Sequence, residues 1–218
     1  VKRDLIILGT SGLAREMALV AEHVNARSHA WTIRGFVAEH ASETGTDLGV
    51  AAVLGDDEWL LDSGREADLV IGIGYPRVKA KVMARYLEHG DRFGFPNLVH
   101  PAATLDFRRI EFGRGNVVTA GCAFTCDIQV ADFNLFNLNT TVGHDVRIGS
   151  FNVFNPSVNV SGGVHVGDRV LVGTGCQILE QRRIGSDAVL GAGAVVRSDV
   201  GEGITVVGVP AKPLQRGI

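Results

Sequence analysis

His144 and Asp145 are neighbours in the chain and together form a candidate proton-transfer pair. A carboxylate close to an imidazole can orient the ring and raise its basicity, and a histidine titrates near neutrality. His144 stands apart from the other histidines. His23, His29, His40 and His89 fall in expected helix or loop surface, His100 precedes a proline, and His165 directly precedes an inward valine. Eighteen residues before His144 stands Cys126, and eighteen after it Gly162. Both are small, so in a chain that repeats at that interval the imidazole has room beside it for a ligand. An ordinary polar corner residue is the plainer reading of the same position, and the residues alone leave both open.

A second group of residues suits an anion. Gly9-Thr10-Ser11-Gly12 follows an apolar run, 4–9, and precedes a helical pattern that continues to about Val24. A strand, a glycine turn and a helix form the first unit of a Rossmann-like domain, whose helix start presents N–H groups and a positive dipole end to phosphate. Gly9, Ser11 and Gly12 are therefore candidate substrate-binding residues. The motif is GxxG, with Leu13 and Ala14 where a further glycine could stand, and a tight turn without a ligand explains it equally. Glu39 ends the second expected strand, Trp31–Ala38, where an acid often meets a ribose hydroxyl. Gly74-Tyr75-Pro76 turns into a helix whose first turns carry Arg77, Lys79 and Lys81. Cations are unfavourable at a helix start, so one of them, Lys79 for choice, is a candidate for an anionic ligand together with Gly74. Solvated surface charge is the alternative.

The elements that must position His144 come from a spacing of six. Phe112, Val118, Phe124, Val130, Phe136, Val142, Ile148, Phe154, Val160, Val166, Val172, Ile178, Ile184, Leu190 and Val196 keep one register without a slip. An α-helix needs apolar residues three and four apart, and a strand needs alternation. A period of six fits a parallel β-helix with three short sides per coil, each side turning one apolar residue to the axis. Five coils at ~4.8 Å per strand make a prism about 24 Å tall. Residue i+1 is often glycine (Gly113, Gly143, Gly149, Gly167, Gly173, Gly185, Gly191), which reads as backbone freedom at corners. Cys122 and Cys176 each precede a register residue by two and read as buried small hydrophobes.

The rest of the chain divides around the repeat. Ala67–Ile73 reads as a buried parallel strand, Phe93–Val99 as the last strand of the α/β part, and Asp56 or Asp57 as a helix cap. The boundary falls at about residue 101, giving domains 1–101 and 102–218. After Val196 the register fails at Glu202, and the proline-containing tail 206–213 reads as an extended cap. A net charge of −3 without a basic block argues against nucleic-acid binding. The apolar stretches are too short to span a bilayer, and the start is too short for a signal peptide. A cytoplasmic protein without membrane insertion is expected, and no metal-ligand cluster is visible, so no metal is expected.

The unbroken hexapeptide repeat, the segment from Asn137 through Thr141-Val142-Gly143-His144-Asp145 and the ending Val207-Gly208-Val209-Pro210-Ala211-Lys212-Pro213 resemble the left-handed β-helix acyltransferases. With Gly9-Thr10-Ser11-Gly12, the likeness extends over nearly the whole chain to bacterial sugar acetyltransferases that join a small Rossmann-like domain to a left-handed β-helix. These include N-acetyltransferases of nucleotide-linked 4-amino-sugars and sialic-acid O-acetyltransferases. The resemblance implies a homotrimer, with acetyl-CoA in a cleft between neighbouring β-helices and a nucleotide-sugar on the N-terminal domain. It implies His144 as general base, Asp145 as its partner and Asn137 as an active-site asparagine. Gly162, Thr174, Ala192, Pro210 and Lys212 become the cofactor-binding set.

The sequence departs from the family in one place that matters. A second histidine often stands nine residues after the first, and here that position is Val153, leaving Asn152 or Asn155 as substitutes. The expected reaction is acetyl transfer to the amine of a nucleotide-linked amino-sugar, of the 4-amino-4,6-dideoxy type, in glycan or lipopolysaccharide synthesis. Transfer to a sugar hydroxyl and a non-catalytic β-helix scaffold are the alternatives.

Overall fold

A computed structural model describes residues 2–214 of the chain. Two compact units are present: residues up to 74 with 78–101, and 75–77 with 102 onward. No helix among the described residues is long and apolar enough to cross a membrane.

The first unit is built on β1 (Arg3–Leu8), whose Leu5, Ile6, Ile7 and Leu8 are sealed from solvent. The chain continues through α1 (Gly12–Ser28), β2 (Trp31–Ala38), β3 (Val53–Asp56), α2 (Asp57–Asp62), β4 (Ala67–Ile71), α3 (Pro76–Leu87) and β5 (Phe93–Gly94). The five strands form one parallel sheet in the order β3-β2-β1-β4-β5. Helix α1 buries Ala14, Met17, Ala18 and Ala21, the i, i+3, i+4, i+7 stripe of an amphipathic helix. Asp56 caps α2: its carboxylate accepts from the Trp59 N–H at 2.9 Å. The sequence reading omits β3 and draws 93–99 as one strand. In the structure Leu98–Val99 is a separate short strand, as expected where Pro96 removes a ladder donor.

The second unit is a parallel β-helix with three sheets. One holds Ile110–Phe112, Ile128–Val130, Arg147–Ile148, His165–Val166 and Arg183–Ile184. The next runs from Val117–Val118 through Leu135–Phe136, Val153–Phe154 and Leu171–Val172 to Val189–Leu190 and Thr205–Val207. The third holds Ala123–Phe124, Thr141–Val142, Asn159–Val160, Gln177–Ile178 and Val195–Val196. Up to Val195–Val196 each strand pairs with the one eighteen residues on, Val142 with Val160 for example, and in the last coil Leu190 pairs with Val206. All register residues except Phe112, at the open first coil, are buried. Residues two before them are buried too, Arg182 excepted, so every side but one sends two residues inward; Cys122 and Cys176 sit there as expected. The tail is more regular than an extended cap: Thr205–Val207 pairs in parallel as a further strand, and Lys212–Pro213 pairs antiparallel on it.

The corners solve two problems with different residues. Left-handed backbone falls three residues after each register residue, from Gly115 to Gly193 at every sixth position, and nine of those positions are not glycine. The i+1 glycines have another task. A Cβ on Gly143 would lie 2.7 Å from the Gly162 nitrogen of the next coil, and one on Gly167 equally close to that of Ser186. They are therefore explained by the close approach of stacked coils. Along one inner row, Asn116, Asn134 and Asn152 form a ladder. Each side-chain oxygen accepts from a backbone N–H one coil on: Asn134 at 2.9 Å, Asn152 at 2.9 Å and Val170 at 2.7 Å. Buried amides of this kind satisfy corner N–H groups that no strand reaches.

Candidate active site

His144 lies on the edge that follows the Thr141–Val142 strand. Its Nδ1 is 2.7 Å from Oδ2 of Asp145, and both side chains are about two-thirds exposed, at 67% and 69%. Asp145 can reach back to the ring because it occupies the left-handed corner position, with φ 59°. Its N–H donates to the Cys126 carbonyl one coil below, at 3.3 Å. A carboxylate can only accept, so the proton of the neutral ring sits on Nδ1 and the Nε2 lone pair is free.

Gly162 lies directly over that free edge of the ring. A Cβ there would fall 2.7 Å from both Nε2 and Cε1. The Gly162 N–H makes no hydrogen bond among the described residues, whereas the next N–H, of Gly163, donates to the His144 carbonyl at 2.8 Å. A basic nitrogen thus adjoins an unengaged backbone donor, the two groups that acyl transfer needs. Gly162→Ala is expected to turn the imidazole off Asp145 and to lower kcat about 10²-fold, the scale of a 1 Å misplacement. Steady-state kinetics and a melting curve check this, since Gly162 is not in the left-handed region and its substitution leaves the fold intact.

A neighbouring row completes this edge. Arg109 forms a two-pronged pair with Asp127, Nη2 lying 2.9 and 2.8 Å from the two carboxylate oxygens. Asp127 is held below its usual range, first by that hydrogen bond, against a smaller opposing effect of burial. Burial, and then Asp127, push the Cys126 thiol up. Sequence reasoning missed Arg109 and Asp127, although they stand thirty-six and eighteen residues before Asp145.

Residues 163–198 match the family model "Bacterial transferase hexapeptide (six repeats)". A search of curated proteins finds no match. Among solved structures, a His-to-Asn variant of perosamine N-acetyltransferase from Caulobacter crescentus, in complex with CoA and GDP-perosamine, superposes with a TM-score of 0.85. Identity is 30%, over 98% of this chain and 97% of that one. The chain belongs to the hexapeptide-repeat sugar acetyltransferases. The acetyltransferase domain of PglB from Neisseria gonorrhoeae, in complex with acetyl coenzyme A, is 28% identical with a TM-score of 0.86, covering 98% of this chain and 100% of that one. WeeI from Acinetobacter baumannii is 27% identical with a TM-score of 0.83, covering 97% and 99%. This chain is accordingly an acetyltransferase.

The remaining candidates of this acetyltransferase fall in several places. Asn137 is 8% exposed, and its side-chain oxygen accepts from the Leu138 N–H at 2.8 Å. Thr174 and Ala192 lie on a different edge of the β-helix from His144, the one that follows Leu171–Val172 and Val189–Leu190. Pro210 and Lys212 lie in the final turn and strand. Val153 is 1% exposed and apolar. Neither substitute for it is free: Asn152 is sealed in the core ladder, and Asn155 donates its amide to the Val172 carbonyl at 3.0 Å.

In the first unit, Gly9, Glu39 and Gly74 come together at the carboxyl ends of β1, β2 and β4, where Leu8 pairs with both Val37 and Ile71. Ser11 precedes α1, and Gly12 is its first residue. The close helix-to-sheet approach that a third motif glycine provides elsewhere is made here by Gly72, whose Cβ would lie 2.5 Å from the Ala14 Cα. Lys79 does not join this group at the surface, for its side chain is fully buried.

Proposed function

We propose that this protein transfers an acetyl group from acetyl-CoA to the amino group of a nucleotide-linked amino-sugar, of the 4-amino-4,6-dideoxy type, in bacterial glycan synthesis. The observation that carries the reading is the His144–Asp145 pair at 2.7 Å beside the unengaged Gly162 N–H. It is supported by relatives of about 30% identity, one holding CoA with GDP-perosamine and another acetyl coenzyme A.

Acetyl-CoA supplies the activated acyl group as a thioester. Nε2 of His144 accepts the proton that the sugar amine loses as it attacks, and Asp145 stabilises the imidazolium that results. The Gly162 N–H is placed to donate to the carbonyl oxygen as it gains charge. The imidazolium then returns its proton to the departing thiolate, so the ring ends the cycle neutral.

In this proposal the first unit is a Rossmann-like domain that holds the nucleotide at Gly9, Ser11, Gly12 and Glu39, with phosphate at the start of α1. The second unit is a left-handed β-helix in a homotrimer. Thr174 and Ala192 stand on a different edge from His144 and Gly162, so a cleft lined by both sets needs a second copy of the chain.

Thiol release from acetyl-CoA is the test, with GDP-, UDP- and dTDP-linked amino-sugars each beside its hydroxyl counterpart. Turnover confined to an amino-sugar is the expected result and names the nucleotide. Turnover with hydroxyl sugars alone would replace the reading by O-acetyl transfer, and absence of acetyl-CoA binding would leave a scaffold.

A further inference from the structure

Asp127 and Asp145 occupy equivalent left-handed corner positions on successive coils, with φ 57° and 59°. Stacked coils lie ~4.8 Å apart, so two carboxylates approach the same edge. Only one of them touches the imidazole. Asp145 closes on His144 Nδ1 at 2.7 Å, while Asp127 is taken up by Arg109, one coil further down, through Nε at 3.2 Å and Nη2 at 2.9 and 2.8 Å. We propose that Arg109 is a positioning residue of the acetyltransferase: it neutralises Asp127, so that of the two stacked aspartates only Asp145 bears on His144 uncompensated.

The surroundings of His144 make this a matter of few charges. Its own corner supplies Asp145, the coil below supplies Cys126 and Asp127, and Arg109 reaches Asp127 from one coil further down. Lower still, Arg108 and Asp106 are closed on each other at 2.6 Å. The coil above presents Gly162, and Glu180 stands in the same edge row beyond it. Asp127 senses His144, whose charge helps hold it low, and the Cys126 thiol senses Asp127 and Asp145 together. An unpaired Asp127 would add a second negative charge at the ring and favour the imidazolium, which cannot act as base.

This inference rests on the reading of His144 as general base, and its test keeps the two apart. The pH dependence of kcat/KM is measured at low salt for the wild type, Arg109→Gln, Asp127→Asn and the double variant, beside an NMR titration of His144 in each. Arg109→Gln is expected to move the acidic limb and the His144 titration to higher pH, by about half a unit. Asp127→Asn leaves Arg109 alone and moves both to lower pH, and the double variant returns close to the wild type. All shifts shrink as salt rises, because both side chains are about half exposed, at 55% and 54%. Coincident titrations, or single variants that move the same way, would overturn the role of Arg109. Ordered titrations with pH–rate limbs that do not follow them would keep the electrostatic coupling and remove His144 as the base.

Discussion

His144→Ala is expected to lower turnover by about 10²–10⁴-fold, the usual worth of a positioned general base. The change leaves melting behaviour and acetyl-CoA affinity close to the wild type. The stability half follows from exposure: a side chain 67% open to solvent leaves no cavity when removed. The affinity half follows from the backbone, since the unengaged N–H belongs to Gly162, whose position is set by coil stacking and not by the imidazole. Rate from approximation of the two substrates also survives, so the residual activity stays above the uncatalysed reaction. Initial rates with the best sugar of the panel, beside calorimetry with acetyl-CoA, read both halves. Wild-type turnover in the variant would remove His144 as the base. Loss of acetyl-CoA binding together with turnover would make it a structural residue of the cleft.

The part of this site that was legible in the sequence is the part written at fixed intervals. His144 was visible because its coil neighbours, Cys126 and Gly162, are small at the eighteen-residue repeat. The Arg109–Asp127 pair is written at the same interval, but a salt bridge between coils leaves no trace in apolar periodicity. The i+1 glycines are required by the approach of the next coil, as at Gly143, while left-handed corners are taken by aspartate, asparagine, serine and even phenylalanine. Such backbone costs a non-glycine residue energy that stacking on both sides must offset. In the first unit, Gly9 and Glu39 reach one edge of the sheet because parallel strands end together, which a strand, turn and helix pattern does imply. Gly72 against Ala14 could not be read, because the contact is between elements distant in sequence. Lys79 shows the reverse failure. Its charge suggested a ligand at the surface, and its helical phase, unread, turns it inward.

Lys79→Met is expected to stabilise the protein by roughly 2–5 kcal/mol at pH 6 and by much less at pH 10. The Lys79 side chain is fully buried on α3 and its Nζ has no hydrogen-bond partner among the described residues. Burial pushes its pKa from 10.5 down to about 7. Between those two values the unfolded chain binds a proton that the folded chain does not, so stability rises with pH across that window. Below about 7 the folded protein carries a buried, unpaired ammonium and bears the whole cost. Methionine has similar length and no charge, so it fills the same space without the penalty. Urea unfolding of both proteins at pH 6, 8 and 10 gives the comparison. A gain that falls steadily with pH supports the account. A variant less stable than the wild type at pH 6 would mean that the ammonium is held by an anion, and loss of nucleotide-sugar binding in the same variant would identify that anion as the substrate.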